Sequence, residues 1–172
     1  MHSVLIVSDS HGLTDELEMI KSRHKVDEYI HCGDSELAET ATQLDGFITV
    51  KGNCDWNGKF PNEQIVEFGG LRFFITHGHL YGVKQSLLQL QYKAEEVEAD
   101  VVCFGHSHIA YAEKVRNTLF INPSSIRSPN KYKEKSYAMI EWENRDEITV
   151  HFYDLSGRII TTFPYESHFQ LK

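Results

Sequence analysis

The chain has 172 residues, of which 17 are Lys or Arg and 25 are Asp or Glu, for a formal net charge of −8. That length fits one domain spanning 1–172, with enough core to fold without disulfides, and 41% hydrophobic against 24% charged residues excludes a disordered chain, a collagen and a coiled coil. The acidic balance excludes sequence-independent coating of nucleic acid, and the apolar run Val4-Leu5-Ile6-Val7 is too short for a signal peptide or a membrane span.

In chain order, His2 to Val7 reads as a buried strand of β-branched and aliphatic residues. Thr14 is placed to cap a helix from Asp15 to about His24, with Leu17, Ile20 and Met19 facing inward. Glu28 to Cys32 is a second strand, Ser35 caps a predicted helix to about Leu44, and Phe47 to Val50 is a third strand. Ile65 to Phe68 and Leu71 to Thr76 flank Gly69-Gly70, a hairpin signal. Val83 to Val97 is predicted helical, with Leu87, Leu88, Leu90 and Val97 as its apolar positions. Val101 to Phe104 is a further buried strand. Beyond it, Tyr111–Val115, Thr118–Ile121, Tyr137–Trp142, Ile148–Asp154 and Arg158–Phe163 all read as strands, and no helix is predicted. A βαβ-like first part running into an all-β second part predicts two packed sheets with helices outside, an α/β architecture.

Five of these strands end in polar clusters. Leu5-Ile6-Val7-Ser8 leads to Asp9-Ser10-His11, and Tyr29-Ile30-His31-Cys32 leads to Gly33-Asp34. Ile48-Thr49-Val50-Lys51 leads to Gly52-Asn53-Cys54-Asp55. Phe73-Phe74-Ile75-Thr76 leads to His77-Gly78-His79, and Val101-Val102-Cys103-Phe104 leads to Gly105-His106-Ser107-His108. Ligands in α/β sheets sit beyond the carboxyl ends of strands, so these ends converge on one site if their strands share a sheet. The two-residue spacing of Asp9/His11 and of His106/His108 places both side chains of each pair on one face of an extended stretch. Carboxylate, carboxamide and imidazole donors suit Mn, Fe, Zn, Co or Ni. They are too many for one tetrahedral ion and enough for two metals sharing a carboxylate, a device that activates water and clamps a phosphoryl group.

The ordered set Asp9-x-His11, Gly33-Asp34, Gly52-Asn53-Cys54-Asp55, His77 and Gly105-His106-x-His108 resembles the signature of the calcineurin-like metallophosphoesterase superfamily. It is most similar to its small single-domain phosphodiesterases of the YfcE type. The resemblance implies a four-layer αββα sandwich of two mixed sheets flanked by helices. It implies one divalent metal held by Asp9, His11, Asp34 and His108, and a second held by Asp34, Asn53, His77 and His106. Mn is the first expectation, with Ni, Fe, Zn and Co as alternatives. It further implies hydrolysis of a small phosphodiester or nucleotide-like substrate by in-line attack of a metal-bridging hydroxide.

Asn53, Cys54 and His79 are the remaining candidates for direct catalytic contact. Many members of the superfamily carry histidine where this chain has Cys54, and a thiol is a poorer general acid near neutral pH, which favours diesters with good leaving groups over alkyl monoesters. His79 is a candidate for substrate or leaving-group contact, with support of the site from behind as the alternative. Asp55 reads as a solvated turn residue, with orientation of a neighbouring His or Cys as the alternative; Arg127 reads as a solvated arginine, with a phosphate contact as the alternative; and His31 reads as a core histidine. In Asn122-Pro123-Ser124-Ser125, Ser124 stands where similar loops of the YfcE type carry glycine. Ser128 to Lys135 reads as a surface loop. Phosphomonoester or nucleotide-pyrophosphate hydrolysis on the same site, and a non-catalytic protein-binding scaffold, are the competing functions; retention of every proposed ligand argues against the scaffold. Cys32, Cys54 and Cys103, without CxxC spacing, point to a reducing compartment, so the cytoplasm is the expected location, with no membrane partner and with homo-oligomerisation left open.

Overall fold

The computed structural model describes residues 1–56 and 59–172. The strands are β1 (His2–Val7), β2 (Glu28–His31), β3 (Phe47–Thr49), β4 (Glu63–Phe68), β5 (Leu71–Thr76) and β6 (Val101–Cys103). They continue as β7 (Tyr111–Val115), β8 (Thr118–Asn122), β9 (Ser136–Trp142), β10 (Ile148–Asp154) and β11 (His168–Phe169). The helices are α1 (Asp15–Arg23) and α2 (Leu88–Glu96).

Two mixed sheets form, one ordered β11-β10-β9-β1-β2-β3 and the other β4-β5-β6-β8-β7. β1, β2 and β3 run parallel, as do β5, β6 and β8, so the polar clusters that follow them emerge along the carboxyl edges of both sheets. Alternation along each strand builds the layers. Val4, Ile6, Ile30 and Ile140 of the first sheet face Phe73, Ile75, Val101 and Ile121 of the second in one core. Leu5, Val7 and Met139 point the other way, onto Leu17 and Ile20 of α1. Phe74, Val102 and Phe120 pack on Leu90 and Ala94 of α2. The result is the αββα sandwich. The indole of Trp142 stitches the sheets by donating to Gly69 O at 2.8 Å.

The predicted Ser35–Leu44 helix does not form: only the 3₁₀ turn Thr42–Leu44 is helical. Glu36 sits at φ +54° and its N–H is taken by the Asp55 carboxylate, which no helix interior allows. The helix expected over Val83–Val97 is confined to Leu88–Glu96. Gln85 and Ser86 N–H groups both close onto Gly82 O and Ser86 Oγ takes the Leu88 N–H, so Val83 to Leu87 wind as turns and Leu88 faces solvent. Arg158–Phe163 is not a strand; Ile159 alone bridges Tyr153, because Asp154 Oδ1 captures the N–H groups of Ser156 and Arg158. The edge position falls instead to β11. Thr14 supplies no side-chain cap to α1, and Met19, expected to face inward, is exposed while Leu17 and Ile20 carry the packing. Among the described residues no helix is long and apolar enough to cross a membrane.

Candidate metal centre

The backbone aims the side chains. Asp9, His11, Asp34, His106 and His108 all adopt positive φ, from +43° to +70°. Left-handed backbone costs a non-glycine residue roughly 1–2 kcal/mol, though Asp and His tolerate it better than most. The two-residue spacing of Asp9/His11 and His106/His108 was expected to act through extended backbone. Left-handed turns do that work instead, and the strain gathers where the donors converge. Glycines make the approach of the loops possible: a Cβ on Gly52 would lie 2.0 Å from Asp34 Oδ1, and one on Gly105 would lie 2.0 Å from Ser8 Oγ.

Asp9 is fully buried, and its Oδ1 has no hydrogen-bond partner among the described residues. That oxygen lies 3.1 Å from His108 Nε2 and 3.7 Å from both His11 Nε2 and His77 Nε2. His11 Nε2 and His108 Nε2 are themselves 3.2 Å apart. The outer ring nitrogens fix the tautomers. His108 Nδ1 donates to Ser128 O at 2.7 Å, and His11 Nδ1 donates to Glu36 Oε2 at 3.0 Å. Both Nε2 lone pairs therefore point at each other and at a carboxylate oxygen. Such a set of acceptors is stable only around a cation, whether a proton or a metal.

The pattern repeats beside it. His77 Nδ1 donates to Cys32 O at 2.7 Å, which turns Nε2 toward Asp34 Oδ2 at 3.1 Å and Asn53 Oδ1 at 3.0 Å. The His106 ring stands 5.1 Å from that of His77, and Asp34, His77 and His106 each offer a donor atom to one common point. Asp34 Oδ2 also reaches within 3.9 Å of His11 Nε2, so this carboxylate lies between the two sets. All seven predicted ligands come together, and their donor types fit divalent transition metals.

Charge follows this geometry. Burial opposes ionisation of Asp9, but the His108 and His11 imidazoles beside it and the charge of His77 hold its carboxyl well below the usual range. The Asp9 carboxylate, opposed by burial and reinforced by Glu36, raises His11 to about 9. Asp9 raises His108 as well, and Asp34 raises His77 against burial. At neutral pH a proton on His11 holds the place of a cation in the metal-free chain. Burial, His77 and Lys84 push His106 down to about 4.

Several residues outside the predicted ligand set organise the site. Asp55 is buried rather than solvated. Its carboxylate accepts the N–H groups of Asp34 at 2.9 Å, Gly52 at 2.7 Å and Glu36 at 2.9 Å, tying two donor loops together. Glu36, hidden in a stretch that reads as helix, orients His11, as an outer carboxylate commonly does for a metal-binding imidazole. Ser125 Oγ donates to Asp9 O at 2.7 Å, and Asn122 Nδ2 donates to Gly105 O at 3.1 Å, so the segment after β8 locks the first and last donor loops. Ser124 takes φ +70°, the conformation a glycine would supply there, and its hydroxyl donates to His108 O at 2.9 Å. Arg127 is exposed, yet its guanidinium binds His11 O and is held at the rim. The Ser128–Lys135 surface loop carries the carbonyl that orients His108.

Cys54 N–H donates to Asp34 Oδ1 at 2.8 Å, and burial together with the Asp34 charge lifts the thiol to about 11. His79 packs its ring 5.4 Å from His77 and 6.0 Å from His106, with Nδ1 buried and unpaired; burial and the His77 charge lower its pKa. His31 is a core residue as expected. Gly33 N–H donates to its Nδ1, its Nε2 meets Ser10 Oγ at 2.8 Å, and burial lowers it to about 4.

Residues 2–145 match the calcineurin-like phosphoesterase superfamily domain. The chain belongs to that superfamily. It is 52% identical over 160 residues to the probable metallophosphoesterase YsnB of Bacillus subtilis, covering 92% of this chain and 94% of that one. It is 33% identical over 102 residues to the Escherichia coli phosphodiesterase YfcE, covering 55% of this chain and 52% of the relative. A crystal structure of a Streptococcus pneumoniae protein described as a predicted phosphoesterase superposes with a TM-score of 0.91 at 32% identity, covering 97% of each chain. Membership and the donor clusters make this chain a metal-dependent phosphoester hydrolase by family.

Proposed function

We propose that the chain hydrolyses phosphodiesters at a centre of two divalent cations in the cytoplasm. Asp9, His11, Asp34 and His108 hold one cation; Asp34, Asn53, His77 and His106 hold the other; Mn is the expected metal. The carrying observation is the convergence of two acceptor-rich sets, one around Asp9 Oδ1 and one around His77 Nε2, in which carboxylate, carboxamide and imidazole atoms face one another at 3.0–3.7 Å. Divalent metal bound there supplies Lewis acidity to phosphoryl oxygens and acidity to water.

The chain's own groups divide the remaining tasks. Asp9 and Asp34 neutralise cationic charge, and the outward Nδ1–H bonds keep the imidazoles aimed without rearrangement. Asn53 turns its carbonyl to His77, while its amide hydrogens face the Cys54 sulfur at 3.5 Å and are free to exchange that weak partner for a phosphoryl oxygen. His79, its pKa lowered by burial and the His77 charge, packs against His77 and His106 and is our candidate beside the leaving oxygen. Cys54 at about 11 keeps its proton too firmly to serve a poor leaving group, which favours diesters with acidic leaving alcohols. The test is chelator-stripped protein given an aryl phosphodiester and the matching monoester, with and without Mn. Mn-dependent cleavage of the diester in preference to the monoester is expected, with two metals bound per chain. Faster turnover of the monoester refutes the diester reading.

A further inference from the structure

A cavity of about 360 Å³ adjoins the donor clusters at the carboxyl edge of the second sheet. Its walls are Val83, Leu87, Phe104, Ile109 and Tyr111, and its polar groups are Lys84, Ser107 and Asn130. Its walls neighbour the donor loops. Ser107 separates His106 from His108, Asn130 N–H donates to His108 O at 2.8 Å, and Val83 seats over Gly78, the residue after His77. Leu87, Ile109 and Tyr111 are only half-buried, so apolar surface remains uncovered there. Phe104 and Tyr111 present an edge-to-face pair of rings 6.2 Å apart, an aromatic wall to which a third ring can add. Lys84 is exposed, lines the cavity with Ser107 and Asn130, and makes no ion pair among the described residues. The volume lies near the lower end of the roughly 300–1,000 Å³ typical of small-molecule sites, enough for one ring system.

We propose that this slot receives a planar aromatic ester arm of the substrate, with the Lys84 ammonium at an acceptor or anionic edge of that arm. The inference rests on the phosphodiester reading, since a diester brings a second substituent to the centre while a monoester does not. A larger cavity, about 960 Å³, is no alternative: it lies toward the amino end of β1 and carries Glu113, Glu141, Glu143 and Glu147, which repel an anionic ester.

The test uses three esters that share p-nitrophenolate as leaving group and carry methyl, phenyl or thymidine 5′ as the retained arm. Mn-loaded protein is expected to show kcat/KM at least tenfold higher for the phenyl and thymidine esters than for the methyl ester. Ile109→Trp, which fills the slot, should cut that ratio at least fivefold, and Lys84→Ala should cut it for the thymidine ester alone. A diesterase with no preference among the arms, or an unchanged ratio in folded Ile109→Trp, overturns the proposal. Methyl resonances of Val83, Leu87 and Ile109 in zinc-loaded protein should shift together on titration with diphenyl phosphate, and their silence also overturns it. Shifted resonances with no ester cleaved would leave the slot standing and sink the phosphodiester reading.

Discussion

Glu36 tests whether the centre depends on orientation of its imidazoles. Its carboxylate oxygen lies 3.0 Å from His11 Nδ1, on the far side of the ring from Asp9 and Asp34. Removal of such an outer carboxylate typically weakens metal binding by about 10- to 100-fold, or about 1.4–2.7 kcal/mol. Glu36→Gln keeps an acceptor oxygen and loses only charge, so about tenfold is expected; Glu36→Ala frees the ring and should approach the upper figure. Proton competition works in the opposite direction. Asp9 first, and Glu36 after it, hold His11 near 9, so in the wild-type chain a bound proton must leave before metal enters at pH 7. Both variants lower that barrier, which partly masks the loss at pH 7 and not at pH 9. The loss of affinity should therefore grow between those two pH values. Competition against a fluorescent chelator with stripped protein reads it directly, independently of turnover. Affinities within twofold of wild type at pH 9 for both variants would refute the positioning role.

Other expectations follow from the same geometry. Burial depresses His31 from 6.5 to about 4, so the neutral form is favoured in the fold. The stability this supplies is present above about pH 6.5 and is lost as pH falls toward 4, by about 3 kcal/mol in full. Urea unfolding of the metal-free chain at pH 7 and pH 4.5 should show most of that fall, and His31→Gln should flatten it; equal slopes in both proteins would contradict the burial argument. Asp55→Ala leaves three inward-facing N–H groups without their acceptor, at about 1–3 kcal/mol each where they stay buried. Thermal melts should drop sharply and metal content should fall with them, whereas intact metal content would show that the loops hold without this tie. Cys54→His supplies an imidazole where a thiol at about 11 now stands. The monoester-to-diester rate ratio should rise at least tenfold in paired chromogenic assays, toward the factors of about 10² or more that general acids contribute.

The legible parts of this molecule are those in which one strand and its following loop carry the whole signal. Val4 to Val7 followed by Asp9 and His11, or Val101 to Cys103 followed by His106 and His108, announce both a buried strand and a donor pair from adjacent residues. Parallel pairing of β1 with β2 and of β5 with β6 then brings the loops together. What could not be read depends on distant partners. Glu36 lies where apolar spacing favours helix, and only Asp55, 19 residues on, reveals why the chain turns left-handed there. Asp55 itself resembles an ordinary turn residue until its three N–H partners are seen. β9 enters beside β1, a partner more than a hundred residues away, which no local pattern specifies. Arg158 to Phe163 carries strand-forming residues, yet Asp154 spends the local N–H groups on a turn.

Net charge makes the same case from the opposite direction. A chain at −8 that acts on an anionic ester needs concentrated positive charge at one place. Around the donor loops stand Asp9, Asp34, Glu36 and Asp55, against Arg127 bound to the His11 carbonyl and Lys84 at the cavity mouth. The proton on His11 balances part of that excess in the metal-free chain, and Asp34 and Asp9 raise His77 and His108 in the same direction, but a proton there occupies a nitrogen that would otherwise serve as a ligand. On the proposed two-cation reading, divalent metal in place of protons would free the lone pairs and reverse the local sign of charge. The carboxylates that repel a phosphate ester when alone would then be the reason one binds, because they would hold the cations that attract it.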